Sequence, residues 1–148
     1  MPEKETLRRA AKDRRQGKSP TTQAGEFVRE EMHHIREGKH GASSPEQAIA
    51  IGLSKARRAG VPLKAPGPGK AKASTRRSAQ SAIRAGKRHK KASPKRARAT
   101  LGALKRKGRS AASRSALARH AHRAAMGRPA SARSAAARKA ARTRASHR

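Results

Sequence analysis

Cysteine, tryptophan and tyrosine are absent from this 148-residue chain, and one phenylalanine, Phe27, is all it has of Phe, Trp and Tyr. Without cysteine there are no disulfides and no thiolate metal sites, a composition that fits a reducing compartment. With one such ring, a base-stacking platform of the RRM or OB type is excluded. Large apolar residues are scarce too. Six Leu, four Ile, two Val and one Phe make up about 9% of the chain, against the roughly 20% below which a highly charged chain tends to disorder. No stretch approaches the length of a membrane span, and the opening MPEKETLRRAAKDRRQGK has no apolar run for a secretory signal. The expected setting is therefore cytoplasmic, with no membrane partner.

The most informative absence is positional. All eight acidic residues (Glu3, Glu5, Asp13, Glu26, Glu30, Glu31, Glu37, Glu46) precede residue 47, and residues 47–148 contain none. Of the 40 Lys and Arg, ten lie in residues 1–46 and 30 beyond, so the two parts carry net charges of about +2 and +30. Cations at this density repel one another and need a polyanion to be condensed. Nucleic acid is the partner this implies.

What is present is mainly alanine, which favours helix and buries little surface. The expected fold class is mostly α with extensive disorder: a small antiparallel helical hairpin followed by a low-complexity basic tail of transient helices. Four regions follow from the pattern: a charged N-terminal helix in 1–18, the hairpin domain in 19–62, a Pro/Gly linker in 63–74, and the basic tail in 75–148.

Residues 3–15 suit a short helix, acidic at its start and basic at its end as the helix dipole prefers. Leu7 is its one large apolar residue, so it is expected to fray. Ser19-Pro20 reads as an N-cap followed by proline at the first helical position, with Ala24, Phe27, Val28, Glu31/Met32 and Ile35 at helical spacing and Gly38 closing. A second such start lies at Ser44-Pro45-Glu46-Gln47, where Ser44 and Gln47 have capping-box spacing. Phe27, Val28, Met32 and Ile35 are expected to meet Ile49, Leu53 and Ala56 across the loop GKHGAS. In VPLKAPGPGKAKA, residues 61–73, three Pro and two Gly break any period. Gly67-Pro68-Gly69-Lys70 is not a phosphate loop, because Lys64 stands where its first Gly belongs and Ala71 where Ser or Thr belongs.

Beyond Ser74 the helical stretches expected are 75–85, 94–107, 111–126 and 130–144. Their large apolar residues are Ile83, Leu101, Leu104, Leu117 and Met126, too few for much mutual packing. Such helices should be partial in water and consolidate when phosphates neutralise them.

The candidate binding surface starts at Lys55, Arg57 and Arg58, continues through Arg76 and Arg77, and is densest at Lys87, Arg88, Lys90 and Lys91, at Lys95, Arg96 and Arg98, and at Lys105, Arg106, Lys107 and Arg109. It ends in Arg114, Arg119, Arg123, Arg128, Arg133 and Arg138. These last six recur every four or five residues, so they wind round a helix instead of forming one stripe. No zinc-finger ligands, basic-zipper heptads or other reading head accompany them. The partner expected is therefore nucleic acid gripped by its backbone, DNA favoured over RNA; the alternatives are an RNA- or ribosome-associated binding protein, or an adaptor that holds a protein partner or self-associates through the hairpin.

No catalytic site, metal or cofactor is expected. Ser and His are plentiful, but no acid remains downstream to orient a base. Glu30-x-x-His33 and Glu31-x-x-His34 have the spacing of di-iron carboxylate bundles, but a bundle site needs two such motifs plus two further carboxylates inside an apolar sheath. These residues are expected on the polar side of their helix. Glu26, Glu30, Glu31 and Glu37 either pair along the helix with Arg29 and Arg36 or attract the basic tail and hold it in check.

Ser93-Pro94-Lys95-Arg96 resembles the SPKK-type motif of linker-histone tails, as the Ala/Lys/Arg/Ser/Pro mixture of residues 64–148 does generally; the motif reads equally as a helix cap. The resemblance implies minor-groove and linker-DNA contacts by Lys95 and Arg96. The stretch GEFVREEMHHIREGKHGASSPEQAIAIGLSKARRAG resembles a small family of basic bacterial proteins that carry a domain of unknown function. That likeness covers residues 18–62, and the tail (ATLGALKRKGRSAASRSALARHAHRAA, then ARSAAARKAARTR) more loosely. Some members are labelled plasmid-stabilisation or DNA-binding proteins, so the resemblance implies a bacterial nucleoid setting and a role in DNA maintenance.

Overall fold

The computed structural model describes residues 2–88 and 93–146, and all regular structure among them is helical. The helices are α1 (Lys4–Arg15), α2 (Pro20–Arg36), α3 (Pro45–Arg58), α4 (Ala73–Lys87), α5 (Pro94–Lys105), α6 (Arg114–Met126) and α7 (Ala130–Ala145), with a 3₁₀ turn at Ser110–Ala112. The chain divides into two compact units, Met1–Ser113 and Arg114–Arg148. The first therefore runs well past residue 62, where the sequence reading ends the hairpin domain.

Local chemistry sets the ends of the central helices. The Ser19 hydroxyl accepts from Thr22 N–H at 3.3 Å, and Ser44 from Gln47 N–H at 3.2 Å. The Gln47 side chain reaches back to accept from Ser43 N–H at 2.6 Å, so the reciprocal bond lands one residue before the cap. At the far end of α2, Gly38 turns to φ +79. Its N–H then donates to Ile35 O at 3.1 Å and that of Lys39 to His34 O at 2.9 Å, the paired bonds of a Schellman stop. That turn sends the chain back over the C-terminal end of α2.

α2 packs along α3, with Phe27 and Ile35 fully buried beside Ala24, Ala48 and Ala56. Their closest approach is at Gly52, where a Cβ would lie 2.6 Å from Val28 Cα. α1 packs on α2 and does not stand apart as a fraying segment. Its Ala10 joins Ala24, Phe27 and Ala56 in one cluster, against which Leu53, Val61 and Leu63 pack. Burying Phe27 contributes about 1.5–3 kcal/mol.

The packing of later segments departs from the sequence expectation. α4 rests on α3 through Ala79, Ala82 and Gly86, and a Cβ at Gly86 would run into the Arg57 carbonyl. The 3₁₀ turn seats Ala111 and Ala112 on α2 and α3, where Arg36 Nε donates to Ala112 O at 2.9 Å. Small residues pack here by bringing backbones close, a mode that a count of large apolar residues does not register. α5 buries no residue of its own. Its C-terminal end holds the α2–α3 loop through Gly41 N–H to Leu104 O at 3.0 Å, while Ala42 N–H donates to Gly108 O at 3.2 Å. In the second unit neither α6 nor α7 has a buried residue.

Candidate nucleic-acid interface

The sequence candidates divide by exposure. Arg58, Arg77, Lys87 and Arg88 are exposed, as are Lys95, Arg96 and Arg98 on α5. So are Lys105, Arg106, Lys107 and Arg109 around the end of α5, and Arg114, Arg119, Arg123, Arg128, Arg133 and Arg138 in the second unit. Lys90 and Lys91 lie outside the described residues. Ser93 precedes α5 as its N-cap residue, but its side chain makes no cap hydrogen bond.

Three candidates are placed differently. Lys55 projects from α3 into the first unit, where its ammonium pairs with Glu30 Oε1 at 3.0 Å and with Glu31 Oε1. Burial opposes its charge, but the two carboxylates outweigh that cost and hold its pKa above the ordinary lysine value. Arg57 is 8% exposed. Its Nη2 donates to Lys64 O at 3.2 Å, its Nε has no hydrogen-bond partner, and burial lowers its pKa. Arg76 on α4 is half-buried, with its Nε enclosed and without a hydrogen-bond partner. Lys55 and Arg57 hold the first unit together and are not presented to a polyanion.

The acids are committed within the same unit. Arg9 pairs with Glu26 at 2.5 Å and with Glu5 at 3.1 Å, and Lys18 with Asp13 at 2.7 Å. Lys39 bridges Glu37 at 3.1 Å and Glu3 at 3.3 Å. Glu30 also accepts from Glu3 N–H at 3.0 Å. Burial would raise its pKa, but that N–H, the Thr6 hydroxyl and Lys55 together bring it below the ordinary value. Glu3, Glu5, Asp13, Glu26, Glu30, Glu31 and Glu37 are thus engaged with cations or histidines at or before Lys55. The pairs join α2 to α1, to α3 and to the loop, whereas the sequence reading sought them along α2 with Arg29 and Arg36.

Glu31 corrects a second expectation. It does not face solvent on the polar side of α2 but is 0% exposed, with His34 one turn on and His40 folded back over it by the Gly38 turn. His40 Nε2 lies 3.3 Å from Glu31 Oε2, and His34 Nδ1 lies 3.8 Å from Glu31 Oε1. One ligand atom from each of the three lies within 4.8 Å of the others. The spacing Glu31-x-x-His34 was visible in the sequence. His40 was not, because no helical period links it to α2.

Between α3 and α5 runs an open groove of about 920 Å³, with Ile51, Leu101 and Leu104 in its wall and Arg58, Arg96 and Lys105 at its edges. Among the described residues, no helix is long and apolar enough to cross a membrane. No family model matches this chain, and no curated protein or solved structure matches it.

Proposed function

We propose that this protein binds nucleic acid through phosphate contacts without sequence preference, duplex DNA before RNA, and that it catalyses no reaction. One observation carries the reading. Glu3, Glu5, Asp13, Glu26, Glu30, Glu31 and Glu37 are already engaged within the first 55 residues, and no acid exists beyond residue 46. The 30 Lys and Arg from residue 47 onward, Lys55 excepted, therefore far outnumber the carboxylates the chain can set against them, and an external polyanion lowers their mutual repulsion. The same engagement argues against self-inhibition by the α2 carboxylates.

The binding surface comprises the exposed cations of α5, of the segment after it, and of α6 and α7. α6 and α7 bury no residue, so in water they are transient and consolidate as phosphates replace the missing counter-charge. The helical first unit acts as the head and the basic helices as the tail. A nucleoid setting and a role in DNA or plasmid maintenance rest on the bacterial family resemblance. A second reading, an adaptor that holds a protein partner, is favoured by the groove beside Leu101.

The test is fluorescence anisotropy of the full chain with duplex DNA, single-stranded DNA and structured RNA across a salt series. With about ten cations on phosphates, log K should fall against log salt with a slope near −9 for duplex. Affinity that does not change up to molar salt, or no retention on any polyanion at low salt, would overturn the proposal. Tighter binding of structured RNA would assign the same surface to RNA, and a stoichiometric, salt-resistant protein complex would favour the adaptor.

A further inference from the structure

We propose that Glu31, His34 and His40 form a binding site for a divalent transition ion of the zinc class. The inference does not depend on the nucleic-acid reading. It starts from the Glu31 carboxylate, fully buried on α2, neither of whose oxygens makes a hydrogen bond of acceptable geometry. A buried carboxylate in that condition requires a cation beside it. Lys55 supplies one positive charge, but it shares that charge with Glu30, at 3.0 Å. Two carboxylates thus divide one ammonium.

The two histidines face this carboxylate with the wrong atoms for a neutral pair. His40 Nδ1 lies 3.2 Å from the Gly41 carbonyl, which can only accept, so in the neutral ring the proton sits on Nδ1 and Nε2 presents a lone pair. That lone pair is 3.3 Å from Glu31 Oε2. His34 Nε2 lies 2.8 Å from the Glu3 carboxylate, an acceptor, which leaves its Nδ1 bare at 3.8 Å from Glu31 Oε1. Each histidine therefore donates its far nitrogen to an oxygen and directs its near nitrogen at a carboxylate. This is the arrangement that metal-bound histidines adopt, in which the outer hydrogen bond fixes the tautomer and raises ligand basicity.

The dimensions agree. Bonds of about 2.0–2.2 Å in a tetrahedron separate ligand atoms by roughly 3.4 Å; His40 Nε2 lies 3.3 Å from one Glu31 oxygen and His34 Nδ1 3.8 Å from the other, and with one oxygen taken from Glu31 the three ligand atoms lie within 4.8 Å of one another. Small side-chain rotations within their rotamer wells bring the three ligand atoms together. Lys55 then retains Glu30 as its partner. Two imidazole nitrogens and one oxygen select a borderline ion over magnesium or calcium, which take oxygen donors. Three protein ligands leave a fourth position for water. Backbone contacts keep the site in register, since Gly41 is held by the Leu104 carbonyl and has no room for a Cβ beside Lys107.

Chelator-treated, tag-free full-length protein is titrated with zinc chloride, with magnesium chloride as the control. One zinc per chain is expected, with a melting temperature raised by about 5–10 °C when zinc is in large excess over its dissociation constant. His40→Ala and Glu31→Gln should each lose tenfold or more in zinc affinity, whereas His33→Ala, an exposed neighbour on α2, should lose nothing. Cobalt chloride gives a readout independent of stability, because tetrahedral Co²⁺ has intense visible bands; wild type and His33→Ala should show them and His40→Ala should not. Equal zinc affinity in wild type and His40→Ala, or no cobalt bands in wild type, would overturn the proposal. So would a melting temperature that does not respond to zinc.

Discussion

Replacing Gly52 by alanine should destabilise the first unit, and the same exchange at Gly25 should stabilise it. Both glycines lie inside helices, so intrinsic propensity alone favours each exchange by about 0.8–1 kcal/mol. At Gly25 nothing lies within 4 Å of the added methyl group, and the gain is kept. At Gly52 the new Cβ would sit 2.6 Å from Val28 Cα, 2.9 Å from Val28 N and 3.0 Å from Phe27 O. Comfortable carbon contacts need about 3.5–4.0 Å, and all three neighbours are backbone atoms that no rotamer change can move. α3 must therefore retreat from α2 by about 1 Å, loosening the packing around Phe27. Overpacking of this kind costs about 1–3 kcal/mol, and backbone neighbours place Gly52 towards the upper figure. After the propensity gain the net loss is about 1–2 kcal/mol. For a unit of this size that lowers the melting temperature by about 5–15 °C, and Gly25→Ala raises it by about 4–8 °C. Thermal melts followed by far-UV circular dichroism, with urea titrations to check that the m-value is unchanged, read both. If Gly52→Ala melts at or above wild type, the two helices do not approach this closely and the account of the core fails.

Two further outcomes follow from the ion pairs and the exposed clusters. Glu30 is held below the ordinary carboxylate value, so its contribution is complete above about pH 5 and is lost as pH falls through its depressed pKa. The melting-temperature gap between wild type and Glu30→Gln should be constant above that pH and close in stronger acid; a gap that widens on acidification would contradict the pairing. Changing Lys105, Arg106 and Lys107 together to alanine should weaken DNA binding on every sequence and reduce the salt slope by about 3. Arg57→Gln should leave that slope unchanged, because the guanidinium is turned inward. Equal slope changes in the two variants would show that exposure does not govern the contacts.

Caps and turns were legible because their chemistry is local. Ser19-Pro20, Ser44-Pro45 and Gly38 each act within a few residues of themselves, and the helices begin and end where these signals stand. Packing after residue 62 was not legible. The expectation rested on the scarcity of Leu, Ile and Val, yet α4 and the 3₁₀ turn are seated by Ala79, Ala82, Gly86, Ala111 and Ala112, whose value lies in what they omit. Glu31 was misplaced for a related reason. A glutamate on a short helix reads as solvated until Lys55 from α3 and His40 from the loop are brought around it.

The amino-acid order alone determined the electrostatic character of the molecule: helices favoured by alanine, acids confined to the first 46 residues, and a long stretch of cations with nothing in the chain to oppose them. Charge is additive along a sequence and needs no fold to be counted. Which charges are spent internally was decided only in three dimensions. Lys55 and Arg57 look like their neighbour Arg58 in the sequence, but α3 turns the first two inward and leaves the third in solvent. Helix phase and the approach of a second helix set that difference, and both depend on residues tens of positions away.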